Sequence, residues 1–174
     1  MLLKFKRLRE RKTNYKKRKI FVISSKIRFV VRITNNYIIL QAIKCLPKGD
    51  VTLAAFNTIN LKKFGWNFSC KNLPASYLGG YILGKEMLKK GIKEGVLDIG
   101  FKRATKGGKV FAAVKGALDA GIKIPVDEEM LPDEERISGK HISEYARILK
   151  EKDPSLYQKR FSGLLSKGLD PESI

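Results

Sequence analysis

Ile27-Arg28-Phe29-Val30-Val31-Arg32-Ile33 alternates with a period of two: Ile27, Phe29, Val31 and Ile33 share one face, and Arg28 and Arg32 lie on the other. That is the pattern of a strand with one face on a core. Asn35-Asn36 follows, and because Asn tolerates positive φ the pair predicts a two-residue type I′ hairpin turn. Tyr37 to Ile43 is apolar on both faces, as a central strand should be. Pro47-Lys48-Gly49-Asp50 predicts another turn, and Val51 to Phe56 a third strand. The stretch reads as a three-stranded antiparallel meander.

Downstream, residues 57–72 read as a loop holding Lys62, Lys63 and the only tryptophan, Trp66. Pro74 suits the first turn of a helix, and Leu78, Ile82, Leu83 and Met87 recur at helical spacing as far as Gly91. Gly79, Gly80 and Gly84 each weaken that helix by about 1 kcal/mol relative to Ala, which close packing onto the sheet would explain. Val96 to Ile99 predicts a fourth strand, and residues 108–121 a second helix with Val110, Phe111, Val114, Ala117 and Leu118 on one face. Ile122 to Pro125 is a candidate fifth strand. The order predicts an α/β fold: a mixed sheet, meander first and strand-helix units after, with helices packed on it. Three regions are expected: a basic arm over residues 1–20, an α/β core over 21–125, and an acidic linker with C-terminal helices over 126–174. Those helices run to about Lys150 and from Pro154 to Ser166.

Charge divides the chain in the same way. Lys and Arg number 36 against 17 Asp and Glu, a net charge of +19. Residues 1–125 carry 28 basic and 6 acidic side chains, and residues 126–174 carry 8 and 11. Self-repulsion of this size makes sense when a polyanion neutralises it, and nucleic acid fits best. Residues 1–19 hold ten cations and one acid without apolar periodicity, so this arm is expected to be disordered when free and to fold on RNA. Its candidate contacts are Arg7, Arg9, Arg11, Lys12, Thr13, Tyr15, Lys16, Lys17 and Arg18.

Two further signals point to phosphate. Lys102-Arg103-Ala104-Thr105-Lys106-Gly107-Gly108-Lys109 places four cations and a hydroxyl (Lys102, Arg103, Lys106, Lys109 and Thr105) directly before a helix N-terminus. Exposed N–H groups and the helix dipole there favour an anion, without reading sequence. Trp66 with Lys62 and Lys63 is either a base-stacking corner or a tryptophan buried in the core. Arg28, Arg32 and Asn35 complete the candidate set.

Chemistry of other kinds finds few residues. Gly79 to Lys85 has phosphate-loop spacing, but Glu86 stands where Ser or Thr is needed and the stretch lies inside a helix. A ribonuclease H-like enzyme needs several carboxylates converging on metal ions, whereas the first strand offers only Arg28 and Arg32 beside Asp98. Asp98 is expected to pair with a nearby Lys or to cap a strand end. His141 has no nucleophile partner, and Cys45 and Cys70 read as small apolar residues. No catalytic residue, cofactor, metal or small-molecule substrate is expected. No apolar run approaches the ~20 residues needed to span a bilayer, and no basic amphipathic helix suits a membrane surface. Residues 1–6 have no apolar signal core behind them, so a cytoplasmic, reduced setting is expected.

Several stretches together resemble the archaeal branch of the ribosomal protein L-eighteen family, whose eukaryotic relative is called protein five of the large subunit. They are Arg11 to Tyr15, Arg28 to Arg32 with Asn35, Leu61 to Trp66, Leu97 to Gly100, Lys109 to Gly121, and Pro132 to Ile137. The resemblance covers roughly residues 7–146. It implies an α/β domain of the topology read above and a non-catalytic role in the large ribosomal subunit. It also implies binding of 5S rRNA against the large-subunit rRNA in the central protuberance, beside neighbouring ribosomal proteins. RNA contact is implied for the arm, at Lys12, Thr13, Tyr15 and their neighbours, and for the loop from Lys102 to Lys109.

Overall fold

The computed structural model describes residues 5–173. Two helices open it, α1 (Lys6–Arg9) and α2 (Tyr15–Ser24), so the segment read as disordered when free carries helix here. The reason is local: Asn14 caps α2 by accepting from the Lys17 N–H at 3.1 Å, and Ser25 ends it in the left-handed region at φ 53°. Strand β1 (Ile27–Ile33) pairs antiparallel with β2 (Ile38–Leu46), which pairs antiparallel with β3 (Gly49–Asn57). Helix α3 (Leu73–Lys89) crosses to β4 (Val96–Asp98), which lies parallel to β1. The sheet order is β3-β2-β1-β4, and the mixed α/β architecture is as expected.

Two local readings are corrected. The β1–β2 turn is not type I′, because neither Asn35 nor Asn36 has positive φ. Thr34 closes a wider loop instead: its hydroxyl donates to the Tyr37 carbonyl at 2.6 Å and accepts the Tyr37 N–H at 3.1 Å. The fifth strand shrinks to an isolated parallel bridge between Glu94 and Lys123. Ile122 and Ile124 turn into the core on either side of it, and Pro125 has no N–H to extend a ladder.

One face of the sheet makes the core. Phe29, Val31, Ile38, Leu40, Ala42, Ala54 and Phe56 pack there against Leu83 and Met87 of α3 and against Val110, Ala113, Val114 and Ala117 of α4 (Lys109–Asp119). The helix glycines divide between two neighbours. A Cβ on Gly79 would sit 2.8 Å from Leu40 of the sheet, as the close-packing reading requires. Gly80 and Gly84 face α4 instead, where their Cβ atoms would reach 1.9 Å from the Ala113 carbonyl oxygen and 2.6 Å from the Ala120 Cβ. The phosphate-loop spacing is thus a helix–helix seam.

After the core come α5 (Glu134–Ser138), α6 (Lys140–Lys152) and α7 (Pro154–Leu165). The last two close a small cluster of their own around Ala146, Leu149 and Tyr157, with Leu156 and Phe161 beside it. Asp153 caps α7 by accepting the Leu156 N–H at 3.0 Å, and that bond lowers its carboxyl below the usual range. His141 lies exposed on α6. Among the described residues no helix is long and apolar enough to cross a membrane.

Candidate nucleic-acid interface

The second face of the sheet is charged, and it begins with Arg28. Strand alternation turns its side chain away from the core, beneath α2, where it is only 8% exposed. A buried guanidinium needs carboxylates, and two supply them from distant parts of the chain. Arg28 donates to Asp98 on β4 at 3.0 Å and to Asp50 on β3 at 2.6 Å. Arg32 forms an ion pair with the Asp98 carboxylate at 3.1 Å and donates to its carbonyl at 2.6 Å, and the Gly100 N–H donates to the other Asp98 oxygen at 2.8 Å. Asp98 is therefore paired with arginines and not with a lysine, and by accepting the Gly100 N–H it caps the end of β4, the other role expected of it. Only the Arg28 Nε lacks a partner among the buried side-chain polar atoms of the described residues.

The arm is fastened to this network. Arg18 of α2 donates to Asp50 at 3.0 Å, and the Phe21 ring lies 5.3 Å from the Arg28 guanidinium. Partial burial raises the Asp50 carboxyl, but Arg18 and Arg28 outweigh it and hold Asp50 below its ordinary range. Upstream, the Phe5 and Tyr15 rings meet at 5.1 Å, and Arg7 donates to the Thr13 hydroxyl at 2.9 Å. α2 runs through residue 20, so arm and core share an element.

Between arm and sheet lies an open groove of about 800 Å³. Arg7, Arg11, Lys12, Thr13, Tyr15, Lys17 and Arg18 line one side, the network with Val30, Gln41 and Ile43 forms the floor, and Ile99 to Lys102 close the far side. Eight of its lining residues are Lys or Arg and two are Asp. Both acids are held by arginines, so the floor gives the remaining cations no counter-charge, and of these only Lys12 has a neighbouring acid, Glu10 at 2.8 Å, among the described residues. The geometry suits a phosphate backbone threaded between arm and sheet. Arg28 lies in the floor of this groove, where its burial and its two carboxylate partners suit it to hold the sheet and arm together.

Other candidates lie outside this groove. Arg9, Lys16 and Asn35 are exposed on the arm and the β1–β2 loop. Arg103 and Thr105 are exposed, while Lys106 reaches Glu129 of the acidic linker at 3.3 Å. The Gly107 N–H donates to the Met130 carbonyl, which draws that linker against the basic loop. Gly108 caps α4 with no side chain over its N-terminus. Lys109 beside it is half-buried, and burial together with the nearby Lys71 ammonium lowers its pKa. Trp66 packs against the core, its indole N–H donating to the Ser69 carbonyl at 3.2 Å and its ring set edge-on to Phe68 at 5.7 Å. Lys62 and Lys63 stay exposed.

Sequence reasoning missed Asp50 and Phe21. Asp50 carried a signal, as one of only six acids in the first 125 residues, set at the end of a predicted turn. Phe21 carried none, because its partner Arg28 lies in another element.

A family model described as "Ribosomal large subunit proteins 60S L5, and 50S L18" matches residues 1–95 and 89–127. Large ribosomal subunit protein uL18 of Thermofilum pendens is 52% identical over 169 residues, covering 97% of this chain and 86% of that protein. The uL18 of Caldivirga maquilingensis is 52% identical over 173 residues, covering 99% and 84%. That of Saccharolobus solfataricus is 47% identical over 173 residues, covering 99% and 86%.

Proposed function

We infer that this chain, which belongs to the family of ribosomal large subunit proteins 60S L5 and 50S L18, binds 5S rRNA and holds it against the large-subunit rRNA in the central protuberance. Membership makes it a structural constituent of the large ribosomal subunit and not an enzyme. The observation that carries the finer reading is the groove between arm and sheet. It gathers cations from residues 7–18 and from Lys102 around a floor whose acids are already paired.

In this reading the arm and the sheet grip one phosphate backbone from two sides, and RNA shape supplies the selectivity. Arg7, Arg11, Lys12, Lys17 and Lys102 meet phosphates, with Tyr15 and Thr13 beside them. Arg9, Lys16, Arg103, Thr105, Lys106 and Lys109 extend the footprint along the outer arm and the loop before α4. Arg18, Arg28 and Arg32 serve by positioning. The linker and C-terminal helices turn towards protein neighbours.

A salt titration of binding to 5S rRNA tests this, with tRNA and a scrambled RNA of equal length as competitors. Five groove cations each neutralising one phosphate give a slope of log K on log salt of about −3.5 to −4.5, and outer contacts steepen it. Binding that survives the competitors, and is weakened by deleting residues 1–19, is the expected result. Equal affinity for all three RNAs would reduce the protein to a general polyanion binder and end the 5S assignment.

A further inference from the structure

On a different part of the surface from the groove, one aromatic side chain stands in solvent on a rigid support. Residues Thr58–Phe64 form a 3₁₀ helix that follows β3, and none of them lines the groove. Its base is anchored: Leu61 is buried in the core, and the fully buried Thr58 hydroxyl accepts the Ile38 N–H at 2.8 Å and donates to the Cys70 carbonyl at 2.6 Å. Its end is closed by Gly65 at φ 86°, whose N–H donates to the Lys62 carbonyl, while the Trp66 N–H donates to that of Leu61. Trp66 then folds inward, and Phe64 is left 74% exposed.

The setting is cationic. Lys62 and Lys63 precede Phe64, both exposed and neither in an ion pair among the described residues. No Asp or Glu occurs anywhere in residues 51–85, a stretch that also contains Lys71 and Lys85. An exposed lone aromatic is ordinary on a protein surface. An aromatic held on a braced turn, flanked by two free ammonium groups in an acid-free segment, is the arrangement that stacks an unpaired base while the lysines meet its flanking phosphates.

We propose that Phe64, with Lys62 and Lys63, is a second RNA contact, and that it stacks an unpaired nucleobase of rRNA. The proposal rests on the reading of this chain as an rRNA binder and adds a site to it. The stacking role that the sequence offered to Trp66 passes to Phe64, two residues away. The base belongs either to 5S rRNA or to the large-subunit rRNA, and both are used as probes.

The experiment measures affinity of the full chain for a 5S rRNA transcript and, separately, for deproteinised large-subunit rRNA, in wild type, Phe64→Ala and Phe64→Trp. Phe64→Ala removes no core contact, so its melting temperature should match that of wild type. It should lose about tenfold in affinity for whichever RNA supplies the base, with the salt slope unchanged because no cation is removed. Phe64→Trp should restore the affinity. A Lys62→Ala, Lys63→Ala double variant should instead flatten the slope by about 1.4 to 1.8. Wild-type affinity of Phe64→Ala for both RNAs would overturn the proposal, including the case in which that variant loses a protein neighbour. If wild type itself shows no preference for either rRNA over tRNA, the functional reading fails, whatever Phe64 does.

Discussion

The two faces of the sheet come from the same strands and the same alternation, yet they are held by different forces. On the helix-covered face Phe29, Val31, Leu40 and Phe56 meet α3 and α4 with no charged side chain among the core residues. On the arm-covered face Arg28, Asp50 and Asp98 form a partly buried ion-pair chain with Arg18 and Arg32 at its ends. Apolar burial is non-directional and favourable in itself, so the first face builds the fold. A buried ion pair roughly balances its desolvation cost but is very costly to break on one side, so the second face contributes specificity of arrangement. It fixes where the arm lies and occupies both acids of the groove floor with arginines. With RNA bound as proposed, stability and function sit on opposite sides of one layer.

The largest effect that would break this division is a wedge in the apolar half. Gly80→Val puts a branched side chain where a Cβ already meets the Ala113 carbonyl oxygen, and backbone cannot swing aside as a side chain can. The cost should exceed the ~1–3 kcal/mol usual for over-packing. Thermal unfolding followed by circular dichroism should show a lost or broadly non-cooperative transition. A cooperative melt near that of wild type would mean that the α3–α4 seam is not what organises the core.

Next in size is the charged half. Asp98→Ala leaves Arg28 buried with one carboxylate and Arg32 with none, and should cost about 3–5 kcal/mol in denaturant unfolding. Adding Arg28→Met to that variant should recover most of the loss, since an apolar pair of similar volume avoids the desolvation cost. RNA affinity should stay low in the double variant, because Asp50 and Arg18 no longer tie the arm to the sheet through Arg28. Recovery of both stability and affinity would show that the network only fills space.

These partnerships mark where the sequence stops being readable. The β1 alternation and the 13-residue run from Lys109 to Gly121 were legible because period alone assigns each residue a face. Period says which way Arg28 points but not what it meets, since Asp98 lies 70 residues away and Asp50 arrives from a third strand. The type I′ turn failed for a related reason: Asn35-Asn36 is a valid local signal, but the Thr34 hydroxyl offered the backbone a competing closure. Trp66 and Phe64 sit two apart in a segment with no regular period, so only coordinates decide which faces inward. The basic groove was half visible, in that both of its cationic walls were nominated and their convergence was not.

A smaller change tests the hinge between arm and sheet through pH. Asp50 has a folded pKa below its unfolded one, so the stability it contributes is fully present above the ordinary carboxylate value and is lost as pH falls through the depressed value. Because its side chain is 35% exposed, the loss should stay near ~1 kcal/mol. Proteolysis within residues 15–24 should therefore quicken below the ordinary Asp range while the strands remain protected. In Asp50→Asn the faster cleavage should already be present at neutral pH. Cleavage of the same segment independent of both pH and Asp50 would detach the arm from this network.

The smallest effect asks whether the two faces are energetically independent at all. Phe21 lies over Arg28 and ties α2 to the network through its ring, at a distance where a cation–π interaction is worth about 0.5–1 kcal/mol. Phe21→Leu keeps most of the apolar volume and removes the ring. If the charged face serves only to seat the arm, amide exchange should rise in α2 by up to about fivefold and stay unchanged in α3 and α4, because local opening draws only on local contacts. β1 is the element both faces share, and its amides give the decisive reading. Protection of Phe29 and Val31 should be untouched, since their side chains lie with the core and their ladder partners are on β2 and, for Phe29, also on β4. Faster exchange there would mean that the arm's grip on Arg28 reaches through the strand, and that releasing the arm loosens the fold itself.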